Sequence, residues 1–551
     1  MEWIAEQFVP LMFTGLFVLL LTGFPVAFVL SAVGILFGLV GIWFEIFPSA
    51  ILQAMPLRIV GIMQNETILA VPFFTFMGIV LEKSGIAEDL LETAGQVFGP
   101  LRGGLAISVV VVGALLAATT GVISAAVISM GLISLPVMLR YGYNRNMATG
   151  VIMASGSLAQ IIPPSVVLIV LADQLGLSVG DMYAGAVLPG LLLVALYALF
   201  ICLVALFRPA WVPALPPEAR GEGGYRSLLV LCLVSATAAL AFSLTVDRSF
   251  PALAGQDPGE AIVLSVAVGA VVALLLLGAD RLLRLGLLSA LAGRVTVMLV
   301  PPLVLIFLVL GTIFLGLATP TEGGAMGAIG ALVLAGLRGR MNRIVLRNAV
   351  EHTATLTCFV IFILIGATVF SLVFNAADGH AWVENLFDGI PGGHIGFLVI
   401  VNVLVFFLGF FLDFFEIAFI VIPILAPIAE GMGIDLIWFA VLIAVNLQTS
   451  YLTPPFGFAL FFLRNVAPRV DYTDSATGVL VRRVTTAQIY TGGIAFVILQ
   501  IVMIAVLIAF PEIVTGGLQS GPVGDPATTV IEIEPDASID DMGDPMRLFD
   551  D

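Results

Sequence analysis

Apolar runs of about 20 residues recur along this chain, long enough to cross a hydrocarbon layer as helices. They include 186–207 (AVLPGLLLVALYALFICLVALF), 261–279, 295–316, 353–374 and 490–510. Other apolar stretches are cut by Gly and Pro. Two of these, 104–139 and 393–430, are predicted to be re-entrant helical hairpins. Each is followed by a helix, about 145–173 and about 436–465, interrupted at a Pro-Pro pair. Residues 9–43 are one long helix or two short ones broken at Thr22-Gly-Phe-Pro25.

Composition points the same way. Hydrophobic residues make up 60% and charged residues 11% of 551 positions, with a mean hydropathy of +1.16. A soluble domain carries roughly 25% charged residues. Residues 1–8 hold Glu2 and Glu6 and no Lys or Arg, so the basic start of a cleavable signal peptide is not expected. Cys202, Cys232 and Cys358 lie within apolar runs, and His352, His380 and His394 sit at span ends. No disulfide framework, metal-ligand spacing or His-Glu-x-x-His motif emerges, which argues against a membrane-embedded enzyme. No basic-aromatic surface points to nucleic acid. Much of the net charge of −16 falls in the tail, where 516–551 hold nine acids and one Arg; it is expected to be disordered.

Lys and Arg mark cytoplasmic loops. The arginine-rich segment Leu337–Arg347 sets the orientation. Counting outward places 375–392 outside and 466–486 inside, with Lys83, Arg102, Arg140 and Arg145 also inside. Eighteen of 21 basic residues then fall inside, and Arg58, Arg248 and Arg547 are the exceptions. The count requires hairpin 104–139 to open inward and 393–430 outward.

An internal repeat agrees. Residues 136–164 align without a gap to 427–455: Pro136 with Pro427, Gly142 with Gly433, Pro163-Pro164 with Pro454-Pro455. The fold expected is therefore all-α and polytopic, with two inverted repeats at 1–208 and 294–510, a two-span connection at 209–293 and a tail at 511–551. Inverted repeats are a common transporter plan.

The breaks carry the candidate chemistry. Two prolines remove two amide donors, and the carbonyls so freed need burial or a polar cavity. Carbonyl and hydroxyl oxygens suit a hard cation such as Na⁺, and the next half-helix N-terminus suits an anion. The first hairpin tip, Ala118-Thr-Thr-Gly-Val-Ile-Ser-Ala-Ala126, is small and hydroxyl-bearing. The second, Gly409-Phe-Phe-Leu-Asp-Phe-Phe-Glu416, sets Asp413 and Glu416 among phenylalanines, as cation ligands or as tip-stabilising hydrogen-bond acceptors. Asn446 and Gln448 precede the second break on the same helix. Asn65-Glu-Thr67 and Thr319-Pro-Thr-Glu322 are expected to be helix starts, and 85–94 an interfacial arm helix.

Several strings, Ser84-Gly-Ile-Ala87, Gly99-Pro-Leu-Arg-Gly-Gly-Leu-Ala106, Ile162-Pro-Pro-Ser165, Ala184-Gly-Ala-Val-Leu-Pro-Gly190, Ala318-Thr-Pro-Thr-Glu322, Phe411-Leu-Asp413 and Asn446 through Gly457, resemble the large membrane subunit of TRAP (tripartite ATP-independent periplasmic) transporters. The resemblance covers about 5–510 and leaves out the tail and a lengthened 209–260. It implies a sodium-driven importer of an organic acid in the bacterial inner membrane, working by an elevator motion. It also implies a small four-helix membrane subunit and a periplasmic solute-binding protein as partners. The tail would be periplasmic. By this resemblance a first sodium site involves Thr120, Ile123, Ala159, Ile162 and Pro163, with Ser124 adjacent. A second involves Gly409, Asp413, Ser450, Thr453 and Phe456. A carboxylate substrate would meet Thr119, Gly121, Ser165, Asn446 and Thr449. The family often has Ser-Gly-Ser-Ser at the first tip, where this chain has Thr120-Gly-Val-Ile123, so that site is expected to depend on carbonyls. The second tip and Asn446-Leu-Gln-Thr-Ser450 resemble the branch linked to monocarboxylates, 2-oxo acids and aromatic acids. A stand-alone sodium/carboxylate symporter is the alternative.

Overall fold

A computed structural model describes residues 7–121, 123–219, 225–249, 258–284, 286–387, 391–474, 478–516 and 518. The acidic tail expected to be disordered, beyond 518, lies outside the described residues, as do the side chains of Thr119 and Thr120. The chain is helical, with one small antiparallel pair, β1 (Tyr472–Thr473) and β2 (Leu480–Val481), among the described residues. Among the described residues, nine helices are long and apolar enough to cross a membrane, so this is a multi-pass membrane protein.

The N-terminal apolar run is two helices, α1 (Phe8–Leu21) and α2 (Val26–Trp43). Gly23, at φ +81°, and Pro25 separate them. A short α3 (Met55–Met63) leads to α4 (Ala70–Lys83), which bends by 61° into α5 (Ile86–Phe98) at Gly85, φ +70°. α5 is the expected arm helix, and Asp89 holds it down through Arg340 at 3.0 Å and Arg338 at 3.5 Å.

The first hairpin is α6 (Gly104–Thr120) and α7 (Ile123–Arg140). α8 (Arg145–Ser157) and α9 (Val166–Leu175) are the halves of the first broken helix, and α10 (Val179–Phe207) follows. The lengthened middle supplies α11 (Tyr225–Ser249) and α12 (Pro258–Leu283). Of residues 225–245 only Leu228 and Leu231 are buried, so α11 is peripheral and turns most of its surface outward.

The second half runs α13 (Ala290–Phe314), α14 (Pro320–Leu337), α15 (Arg343–Ala376) and the short α16 (Gly379–Phe387). The second hairpin is α17 (Gly393–Leu408) and α18 (Phe414–Gly431). α18 contains a π-helical stretch at Ile417–Val421, just before Pro423. Proline there has no N–H for the preceding turn, and a wider turn accommodates the loss. α19 (Leu436–Leu452) and α20 (Phe458–Val466) are the second broken helix, and α21 (Thr486–Ala509) closes the described core. Pro136 and Pro427 both lie inside the second arm of their hairpins, and both Pro-Pro bonds are cis.

Burial places the broken helices at the centre. Every residue of α8 from Met147 to Ser157 is buried, as is every residue of α19 from Ile437 to Leu452. α8 packs along α21, α14 along α4, and α15 along α2. The α2–α15 contact is close because Gly34 faces Val369 and Gly366 faces the Ala27 carbonyl; a Cβ at either glycine would fall within 3.0 Å.

Helix α10 measures the two hairpins against each other. Gly103, at the base of the first hairpin, lies against Ile201 near its C-terminal end. Ile437, which follows the base of the second, lies against Gly185 near its N-terminal end. These positions are roughly 16 residues apart, about 24 Å of helix. The bases of the two hairpins therefore lie near opposite ends of α10.

Of the two expected helix starts, Thr319-Pro-Thr-Glu322 opens α14, whereas Asn65-Glu-Thr67 lies in a turn and α4 begins only at Ala70, with no side-chain cap. Thr319 and Glu322 form a reciprocal capping box. Asn65 Oδ1 accepts from the Thr67 and Ile68 amides, and its Nδ2 donates to Asp173 Oδ1 at 2.7 Å. The Thr321 hydroxyl donates to the Glu66 carbonyl at 2.6 Å. This short segment therefore joins both halves.

Candidate functional site

Each hairpin tip rests on the break of its own half. In the first, α6 ends at Gly121, φ +58°, whose N–H donates to Ala117 O. A Cβ there would come within 3.0 Å of Val166 Cγ2 and 3.3 Å of Val166 N, the first residue of α9. The position demands glycine for its backbone angle and for the close approach.

The first break begins with a 3-10 turn at Leu158–Gln160. The amides of Ile161 and Ile162 both donate to Leu158 O. Pro163 and Pro164 have no N–H, so the carbonyls of Ala159 and Gln160 lose their helical donors. The Ser165 hydroxyl takes up the Gln160 carbonyl at 2.9 Å, and Tyr183 donates to Ser165 O at 3.4 Å. Ser165 is fully buried with its hydroxyl committed to this bond.

In the second half, Gly409 follows α17. A Cβ on it would sit 2.7 Å from Ser450 Cβ and Oγ, one turn before Pro454. The Thr453 hydroxyl donates to Thr449 O at 2.8 Å, and Ser450 Oγ to Asn446 O at 3.4 Å. Asn446 Nδ2 donates to the Asn402 carbonyl of α17 at 2.6 Å. Phe456 meets Phe411 with ring centroids 5.5 Å apart and Phe410 at 6.4 Å. Gly409, Ser450 and Phe456 are thus drawn to one place, and Thr453 adjoins them in the chain.

Asp413 and Glu416 form a capping box. Asp413 Oδ1 accepts from the Glu416 amide at 3.0 Å, and Glu416 Oε2 accepts from the Asp413 amide at 2.9 Å. The box starts α18 inside the apolar tip, where the first amides of a helix need partners. One oxygen of each carboxylate is therefore engaged in capping.

The substrate positions are split. Asn446 and Thr449 are buried, and Thr449 donates to Val445 O at 3.4 Å. Gly121 is at the first tip, and the side chains of Thr119 and Thr120 lie outside what is described. Ile123 is buried beside the tip, whereas Ser124 lines a cavity walled by α4 and α15.

Gln160 and Tyr451 gain weight that the sequence did not assign them, and Gln448, already noted beside the second break, gains more. Gln160 and Gln448 are fully buried, and both amide atoms of each lack a hydrogen-bond partner. The Tyr451 hydroxyl is also buried without a partner of good geometry, although it faces Gln160 and the Phe414 backbone. Orphaned amides in an interior are costly, and such groups are usually met by water, an ion or a ligand. Only their polarity on apolar helices could have flagged them. No group of three His, Cys, Asp or Glu is placed to hold a metal among the described residues. The donors on offer are carbonyls, hydroxyls and amides, which fit a hard monovalent cation better than a transition metal.

The model of the family "Tripartite ATP-independent periplasmic transporter, DctM component" matches residues 13–513. The C4-dicarboxylate TRAP transporter large permease protein DctM of Pseudomonas aeruginosa is 27% identical over 76% of this chain and 81% of its own length. The sialic acid TRAP transporter large permease protein SiaM of Vibrio cholerae is 24% identical over 84% and 90%. The ectoine/5-hydroxyectoine large permease protein UehC of Ruegeria pomeroyi is 23% identical over 91% and 96%. Among solved structures, the YdaH transporter of Alcanivorax borkumensis matches at 16% identity and a TM-score of 0.48, over 84% of this chain and 89% of the other.

Proposed function

Because the chain belongs to the DctM component family of tripartite ATP-independent periplasmic transporters, we propose that it is the large permease of a sodium-driven importer of an organic acid. It is a membrane transport subunit and not an enzyme.

One observation carries the reading: each half seats a hairpin tip on a Pro-Pro break, Gly121 on Val166 and Gly409 on Ser450. Each seat sets a tip glycine against a helix break, where prolines remove amide donors and oxygen ligands of the kind a hard cation takes would be available. Ala159, Ile162 and Pro163 would serve the first ion; Ser450, Thr453 and Phe456 would serve the second. The hairpin bases near opposite ends of α10 support two inverted repeats. Alternating access then follows if the hairpins and broken helices move together past α4, α14 and α15, as an elevator does. The orphaned Gln160 and Gln448 mark where the core is polar enough to face a bound ion or acid.

The relatives' printed names include C4-dicarboxylate, sialic acid and ectoine, so the family scaffold does not choose the acid. A small four-helix membrane subunit and a periplasmic binding protein are the proposed partners, and the bacterial inner membrane the proposed site.

The test is uptake into liposomes. The chain reconstituted with both partners should accumulate an organic acid only under an inward sodium gradient. Uptake by the chain alone would replace this reading with that of a stand-alone symporter. Uptake indifferent to sodium would remove the coupling ion.

A further inference from the structure

Three cavities adjoin one another along α7, away from both breaks. One of about 590 Å³ lies at the hairpin base, beside Arg140 and Glu88. A second, about 500 Å³, shares Glu88, Leu132 and Ile133 with it and adds Lys83 and Arg340. A third, about 210 Å³, shares Glu82 and Lys83 with the second and reaches Ser124, three residues past the tip glycine. Together they form a groove from the base of the first hairpin to its tip. The wall facing α7 comes from α4 and α5 and from the start of α15.

The cavity at the tip is chemically built. Thr75 on its wall is 2% exposed, and its hydroxyl has no hydrogen-bond partner. A buried hydroxyl left unbonded is costly, and this one stands at the cavity wall. Lys83 gives one contact to Glu82 at 3.1 Å, and an ammonium has three donors. His352 is aimed by a 2.8 Å contact from Nδ1 to Asn348 O, which leaves Nε2 as its free edge. Ser124 completes the polar set from the hairpin side. The charged or titratable groups here are Glu82, Lys83 and His352. The neighbouring cavity adds Glu88 and Arg340, and Arg340 is held by Asp89. Lys83 is therefore the cation with donors to spare at the tip end. The volume is below the roughly 300–1,000 Å³ of whole small-molecule sites. It matches the carboxylate end of a ligand.

We propose that this cavity is an anion station: Lys83, with Thr75, Ser124 and His352, receives the carboxylate of the transported acid as it leaves the first hairpin tip and passes it along the groove. The inference rests on the organic-acid reading above.

Thiol chemistry tests it without any uptake. Ser124→Cys is placed in the full chain in inverted membrane vesicles, and anionic sulfonatoethyl and cationic trimethylammonioethyl methanethiosulfonates are added. Modification is read by mass spectrometry on the peptide holding position 124, so Cys202, Cys232 and Cys358 do not interfere. Both reagents should react, the anionic one preferentially. Lys83→Met should lower the anionic-to-cationic rate ratio about fivefold, as expected for loss of one nearby charge in a partly screened site. Lys83→Arg should preserve it. Lys83→Gln should match Lys83→Met and keeps a long polar side chain should that variant fold poorly. A thiol at 124 closed to both reagents from the cytoplasmic face, or a ratio unmoved by Lys83→Met and Lys83→Gln, overturns the proposal. Failure of the import reading shows separately, as absent uptake in the assembled transporter.

Discussion

At the scale of single residues, the two tip glycines meet different constraints. Gly121 combines φ +58° with a contact at Val166, whereas Gly409 has an ordinary φ of −65° and only the contact at Ser450. Gly121→Ala therefore carries both a left-handed backbone penalty of about 1 kcal/mol and crowding. Gly409→Ala carries crowding alone, about 1–3 kcal/mol. Thermal unfolding in detergent should rank both below the parent chain, and sodium-dependent uptake should fall in both. Thr453→Ala should act more narrowly. Its hydroxyl proton goes to Thr449 O, leaving the oxygen lone pairs for a cation. We expect the sodium concentration for half-maximal uptake to rise about tenfold, the equivalent of about 1.4 kcal/mol, with expression little changed. An unchanged sodium response would remove Thr453 from the proposed site. The glycines and Thr453 were legible in the sequence, because tip and break signals are local. The orphaned state of Gln160 and Gln448 was not, because it depends on which helices surround them.

At the scale of elements, the second tip separates charge from capping. Thr319-Pro-Thr-Glu322 was recognised as a helix start, and Asp413-Phe-Phe-Glu416 has the same spacing. Its carboxylates among phenylalanines pointed first to an ion, with tip hydrogen bonding as the other reading. The structure shows both engaged in a capping box. Asp413→Ala should cost about 1 kcal/mol through loss of the cap, whereas Asp413→Asn keeps an oxygen acceptor and should cost only a few tenths. Melting temperatures check the pair. If Asp413→Asn melts like the parent yet loses sodium dependence, the carboxylate also serves the ion. The π-helical stretch at Ile417–Val421 had no signal in the periodicity, because one wide turn does not change the hydropathy of an apolar run.

At the scale of the whole molecule, the charge count and the packing can be compared. The segments the count puts inside meet at one end: Asp89 with Arg338 and Arg340, and Arg140 with Asp474 at 2.8 Å. Asn65, Asp173 and Thr321 form a separate set of contacts, near loops the count puts outside. The two sets agree with the topology. Asn385→Cys should react with an impermeant thiol reagent added to intact spheroplasts, and Thr473→Cys only after the membrane is opened. The reverse pattern would invert the orientation and, with it, the direction assigned to the groove.

The sequence by itself determined the spans, the breaks and the tips, since hydropathy, proline and glycine act within a few residues of where they stand. It also offered a pairing of two halves, through prolines that recur at a fixed offset, which stands as a proposal. It left open whether 9–43 was one helix or two, and the left-handed Gly23 before Pro25 resolved that as two. Only the tertiary structure decided what each tip rests on, which polar groups are left without partners, and that a groove runs from Arg140 to Ser124. Those features arise where helices distant in the chain pack together: Lys83 and His352 stand 269 positions apart and line one cavity. In apolar helices that look alike locally, close approach of small residues and the burial of a few polar ones select the partners, and both depend on the assembled fold.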